Sequence, residues 1–226
     1  YWFVQFDFPD ENGNPYKSSG GKMVYSEELQ KEIPLGWCTG SLLDIATFTN
    51  GVACQKFPTI KGEDFYKVIK IKEMGSGFSE KSDLVSRGIP DDRVVNRGDV
   101  LFSWSATLLV KIWHGEVGGL NQHIFKVTSE TYPRSFYFHA LLRYLDHFKM
   151  MAEMRKTTMG HITQEHLEQS IVVKPPLPLV NRFHEQINPL IEATTIKSNE
   201  SENLASLRDW LLPMLMNGQV TVGEAS

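Results

Sequence analysis

Residues 179–218 constrain the fold most, because they carry no strand signal at all. Phe183, Ile187, Leu190 and Ile191 fall on one helical stripe, and Leu204, Leu207 and Leu211 on a second. A heptad step from Phe183 to Leu211 keeps register, but Thr194, Lys197, Ser201 and Arg208 fall on its seam. The pattern predicts one long coiled-coil-type helix with a weak middle, or two shorter helices. Pro189 and Pro213 should bend it, since proline offers no N–H to the preceding turn. Asn217-Gly218 reads as its end. Ahead of it, Pro175-Pro176 reads as a rigid exit from the preceding domain.

Residues 34–178 have a different character. Short β-type runs recur at Tyr66 to Ile71, Val100 to Trp104, Leu108 to Trp113, Ile124 to Val127 and Ile171 to Val173, mostly bounded by turn residues. Pro133 to Met154 has helical spacing through Phe136, Leu141, Leu145 and Phe148, and Thr163 reads as the N-cap of a short helix to Gln169. Strands and helices without regular alternation indicate α+β: a mixed, β-rich domain with peripheral helices, followed by the long helix. Residues 1–33 open with the aromatic burst Tyr1, Trp2, Phe3, Phe6 and Phe8, expected to pack on a neighbouring element. The turn-rich stretch Pro9 to Lys22 follows and reads as a linker. The expected division is therefore 1–33 linker, 34–178 mixed domain, 179–226 helical region.

The 226 residues, 41% of them hydrophobic, allow a substantial core and argue against disorder. No apolar run reaches the ~18 residues of a membrane span, and no basic-then-apolar opening marks a signal peptide. Starting at Tyr1 rather than at a Met, the chain reads as a fragment or a trimmed sequence. Cys38 and Cys54 form no disulfide framework or zinc spacing and read as small core thiols in a reducing compartment. The net charge of −4 resides in the ends: residues 34–178 are mildly basic and hold six of the seven histidines. That permits nucleic-acid binding without demanding it.

Catalytic motifs fail one by one. Gly20-Gly21-Lys22 is followed by Met23 and lacks the leading glycine of a phosphate loop. Gly75-Ser76-Gly77 lacks a third glycine, and Gly118-Gly119 reads as a strand turn. His161 and His166 are five apart, not the four that place two ligands on one helix face, so no metal site is expected. Lys174-Pro175-Pro176-Leu177 lacks the amide and the aromatic ring with which amino-methyltransferases hold a flipped base. No Glu-x-Lys on a suitable strand follows Pro90-Asp91-Asp92 to make a nuclease, and no serine sits in a G-x-S-x-G elbow.

Several runs, in order along nearly the whole chain, resemble the specificity (S) subunit of type I restriction-modification systems. They are Ile33-Pro34-Leu35-Gly36-Trp37; Asn50-Gly51 with Lys56-Phe57; Arg97-Gly98-Asp99-Val100-Leu101-Phe102-Ser103-Trp104; Leu120-Asn121-Gln122-His123-Ile124; Thr157-Thr158-Met159-Gly160-His161-Ile162-Thr163; Pro175-Pro176-Leu177-Pro178; and Leu207-Arg208-Asp209-Trp210-Leu211-Leu212 to Asn217-Gly218. The resemblance implies one target-recognition domain plus one helical conserved region, half of a two-domain reader. It implies double-stranded DNA as ligand and direct assembly with a methyltransferase (M) subunit. A restriction (R) subunit joins indirectly, and a homodimer can form through the C-terminal helix. It implies no catalytic site and no cofactor on this chain, with S-adenosylmethionine, ATP and Mg on partner subunits, a cytoplasmic setting and no membrane. Pro189 and the polar middle depart from the family's regular spacer helix.

Base reading needs side chains at groove edges, while phosphate contacts only position the protein. The candidate DNA contacts are Arg155, Lys156, Thr157, Thr158 and His161 near a helix start; Ser103, Trp104, Ser105 and Thr107 at a bend; Asn121, Gln122 and His123; and Lys56 and Lys61. Lys67, Lys70 and Lys72 ring the same region, and Arg87, Arg93 and Arg97 are further cations. Phe183, Ile187, Leu190, Leu204, Leu207 and Leu211 are the candidate helical interface. The rival readings are a stand-alone DNA-modifying enzyme and a scaffold that binds protein only.

Overall fold

A computed structural model describes residues 1–154 and 161–220. In chain order the elements are β1 (Met23–Ser26), β2 (Lys31–Pro34), β3 (Cys38–Ser41), α1 (Leu42–Ile45), β4 (Thr47–Asn50), β5 (Phe65–Ile69), α2 (Ile71–Ser76), β6 (Leu84–Ser86), β7 (Val94–Val95), β8 (Val100–Ser103), β9 (Leu109–Ile112), β10 (Gly118–Leu120), β11 (Ile124–Thr128), α3 (Arg134–Met154), α4 (Gln164–Glu168), β12 (Ile171–Lys174) and α5 (Leu177–Met216). The architecture is α+β, as the unaligned strand and helix runs predict.

The strands form four small sheets. One four-stranded sheet runs β4-β11-β8-β9, all antiparallel; the other runs β6-β5-β10-β7, with β10 parallel to β5. β1 pairs β2 as a hairpin, and β3 pairs β12 antiparallel, Cys38 opposite Lys174. β8 explains the core. Its alternation sends Val100 and Phe102 into one apolar cluster with α3 and Leu101 into a second with Ile69, Val95 and Trp113, so the strand is buried on both faces. α3 starts just after Pro133, where the missing N–H costs no helical bond. It turns Phe136, Leu141 and Phe148 onto the first cluster, where Phe148 stacks on Phe102 at 5.9 Å. Fully burying a side chain of this size contributes about 1.5–3 kcal/mol.

The aromatic burst packs inward. Phe8 stacks on Trp37 at 5.1 Å and on Tyr16 at 4.7 Å, while Phe3 meets Phe136 at 5.2 Å and Phe183 at 4.8 Å. α5 is one continuous helix of 40 residues, not two. Its polar middle is accommodated because Thr194 and Thr195 turn their hydroxyls onto the carbonyls of Leu190 and Ile191, at 2.8 and 2.9 Å. Among the described residues no helix is long and apolar enough to cross a membrane.

Two sequence expectations are corrected. Gly118-Gly119 is not a turn but most of β10, buried between β5 and β7. A Cβ on Gly118 would lie 2.7 Å from Phe78 and 2.9 Å from Ile69, so any larger residue there must displace both side chains. Cys54 is buried, but Cys38 is exposed, because the β3–β12 pair is two strands wide and covers only one face.

Candidate nucleic-acid interface

β4 ends, β8 ends and β11 begins at one end of the same sheet, with Asn50 opposite Phe125 and Ser103 opposite Ile124. Trp104 is the hub there. Its indole N–H donates to Asn50 Oδ1 at 3.1 Å. Its backbone N–H donates to the His123 carbonyl at 3.3 Å, and its carbonyl accepts from Ile162 at 2.9 Å. Its ring lies 5.7 Å from His123 and 5.3 Å from His161. Four sequence-distant segments thus meet at one half-buried aromatic ring. Ala106, two residues on, has φ 55, a left-handed conformation that a non-glycine residue adopts at a cost of about 1 kcal/mol or more.

The predicted contact residues divide on burial. Thr107 is exposed, and Trp104, Gln122, His123 and His161 are half-buried, with Gln122 Nε2 3.3 Å from His123 Nε2. Ser103 and Ser105 do not face outward. Ser103 is 0% exposed, and its hydroxyl donates to the Thr107 carbonyl at 2.6 Å, which closes the β8–β9 loop. Asn121 is also buried. Its N–H donates to the Ile69 carbonyl at 3.1 Å, and its side-chain oxygen accepts from His123 N at 3.3 Å, so it builds the turn. Close packing with Gly51 presses on the same turn, since a Cβ there would lie 2.2 Å from the Asn121 carbonyl oxygen. Arg155, Lys156, Thr157 and Thr158 lie outside the described residues. His161 and His166 have separate jobs: His161 lies against Trp104, whereas His166 Nδ1 accepts from the Thr163 N–H at 2.9 Å and caps α4.

Sequence reasoning missed Asn50. Its Asn-Gly run marks a turn, but nothing local shows that it holds an indole 54 positions away.

The cations sort by partner. Lys56 and Lys61 are exposed on the segment after β4. Lys70 pairs with Asp83, Lys67 lies over the Phe78 ring, and Arg87 lies over Tyr66 and faces Asp64 at 3.5 Å. Arg93 pairs with Asp92 at 2.9 Å. Behind the sheet, Lys126 is bonded to Asp99 and to the Val94 carbonyl, both at 2.8 Å, which gives the Arg97-Gly98-Asp99 run a structural reason. Burial pushes the Cys54 thiol above its ordinary range.

The candidate helical interface also divides. Phe183 packs on Trp2, Phe3 and His139, and Ile187 lines an apolar cavity with Trp2 and Phe136, so both serve their own domain. Leu190 (62% exposed), Leu204 (65%) and Leu207 (50%) face outward, and Leu211 is half-buried. On the opposite side of the same turns, Asn203, Ser206 and Asp209 line a cleft against the domain. The distal half of α5 therefore leaves a leucine stripe in solvent, while Asn203, Ser206 and Asp209, also exposed, border the cleft.

No family model matches the chain. It is 26% identical over 232 residues to the type I restriction enzyme MjaIX specificity subunit of Methanocaldococcus jannaschii, covering 99% of this chain and 51% of that protein. It is 20% identical over 199 residues to the type I restriction enzyme HindI specificity subunit of Haemophilus influenzae, covering 83% of this chain and 42% of that one. The crystal structure of the HsdS subunit from Thermoanaerobacter tengcongensis aligns with a TM-score of 0.47 at 17% identity, over 88% of this chain and 48% of that one. The chain is thus similar to type I restriction-enzyme specificity subunits, and it spans about half the length of the curated relatives it matches.

Proposed function

We propose that this chain reads one short double-stranded DNA sequence through the Trp104 surface, as one half of a type I specificity subunit. In this reading the outer face of α5 recruits a methyltransferase subunit, and a restriction subunit joins through that assembly. A second copy paired through α5 supplies the other half of a split target. The chain contributes recognition only; S-adenosylmethionine, ATP and Mg act on the partner subunits. The observation that carries the proposal is the similarity to a specificity subunit over 99% of the chain. The geometry supports it. Asn50, Trp104, Thr107, Gln122, His123 and His161 gather hydrogen-bonding and aromatic groups at one sheet end, and buried Ser103 and Asn121 stiffen the loops that hold them. The apolar outer face of α5 is what a protein partner needs.

Genome-wide methylation in cells that carry the methyltransferase subunit, with and without this chain, tests the reading. The expected result is a methylated bipartite motif that appears only with the chain and is relaxed or lost at one half in Asn50→Ala or Trp104→Ala. Methylation that ignores the chain sinks the proposal. In duplex-binding titrations, Lys56→Ala with Lys61→Ala should weaken all sequences alike. The salt slope should become shallower by roughly 0.9 for each phosphate that these lysines neutralise.

A further inference from the structure

We infer that Arg134 is the positioning residue that sets the angle at which the α5 arm leaves the reading domain. One face of α5 meets the start of α3 in a polar ladder at four-residue spacing. His184 Nδ1 lies 2.9 Å from Ser135 Oγ, Asn188 Oδ1 accepts from Arg134 Nη2 at 2.7 Å, and Glu192 is ion-paired with the same guanidinium. The other side of that guanidinium turns back to the domain, where Nη1 donates to the Gly98 carbonyl at 3.2 Å. One side chain, 23% exposed, therefore joins the β7–β8 turn, α3 and the arm. Gly98 is suited to this on two counts. Its φ is +93°, and a Cβ there would stand 2.6 Å from Arg134 Nη1. The planar guanidinium supplies several donors in a fixed fork, which a lysine ammonium does not.

The clamp matters because of what lies beyond it. Farther along the arm, Asn203, Ala205, Ser206 and Asp209 stand across a cleft of about 770 Å³ from Arg97, His114 and Val117. Apolar packing does not close that cleft, so the angle of the distal half owes little to hydrophobic contact with the domain. The angle is set upstream, by directed hydrogen bonds. From Glu192 to the end of α5 at Met216 the helix extends about 36 Å at 1.5 Å per residue. A 10° opening at the clamp then moves the tip by about 6 Å, nearly two base-pair steps of 3.4 Å. The consequence for target spacing rests on the proposed reading; the clamp itself does not.

The test is a distance measurement on the full chain in solution. Spin labels at Glu130→Cys and Leu212→Cys, in a Cys38→Ser background, report the domain-to-arm distance by pulsed electron resonance. Arg134→Met should broaden the distribution or shift it by several ångströms, and Arg134→Lys should not restore it. A distribution identical to wild type, with unchanged circular dichroism, overturns the inference. If Arg134→Met does not fold, Asn188→Ala with Glu192→Ala removes the same bonds from the arm's side and is read the same way. Duplex binding is measured in parallel and should change less than about twofold in Arg134→Met. A wild-type chain that binds no duplex refutes the DNA reading, while the distances still decide the clamp.

Discussion

At the scale of single residues, His114 responds to pH in a predictable direction. It is half-buried between the domain and α5, and burial, then Lys111 and Arg97, hold its pKa below the ordinary histidine value of 6.5, against the pull of Glu192. The folded protein therefore binds a proton less readily than the unfolded chain. The associated stability is full above pH 6.5 and is lost as pH falls below it toward the depressed folded value. Thermal melts of wild type and His114→Asn between pH 5 and 8 should show a shallower acid-side loss in the variant; parallel curves would contradict this. None of it is visible in the sequence, where His114 stands next to Gly115 in an apparently ordinary strand turn. The same holds for Asn50, whose partner Trp104 lies in another strand. Thr163 is the opposite case. Its capping position is local, and the sequence reads it correctly.

At the scale of elements, the legible features are those that repeat. Val100–Ser103, Leu109–Ile112, Ile124–Thr128 and Ile171–Lys174 carry β-branched or aromatic residues, and α3 carries its period plainly. The β1–β2 hairpin carries no such signal, because Met23, Val24 and Tyr25 lie partly or fully in solvent and need no alternation. β10 is hidden because two of its three residues are glycines, selected by their neighbours rather than by strand preference. Gly118→Val should therefore destabilise the fold by about 1–3 kcal/mol through overpacking against Phe78 and Ile69, read as a lower urea midpoint. A midpoint within error of wild type would mean that β5 and β10 are less tightly joined than the geometry indicates.

At the scale of the whole molecule, α5 leaves large apolar side chains in solvent over its distal half, and that sets its solution behaviour. Leu204→Lys with Leu207→Lys replaces outward apolar side chains and removes little from the chain's own core. The melting temperature should move by only a few degrees at most, while capture of a methyltransferase subunit or of a second copy falls at least tenfold in pull-down and sedimentation experiments. Loss of fold instead would show that the domain itself uses that face. The sequence shows the stripe but not its direction, because the direction depends on the Arg134 and Phe183 contacts made well before it.

The β3–β12 pair places Cys38 directly opposite Lys174, so the chain enters and leaves the sheet domain at neighbouring points. The segment from Leu42 to Ser170 is a pendant joined covalently through that two-strand stem, with α3 as its second contact to the arm. A genetic exchange with breakpoints in the stem could replace the whole pendant while the N-terminal aromatic cluster and the arm keep their covalent frame. The join would need two strands of similar register and, on α3, side chains that restore the contacts of Arg134 and Phe136 with the arm and the aromatic cluster.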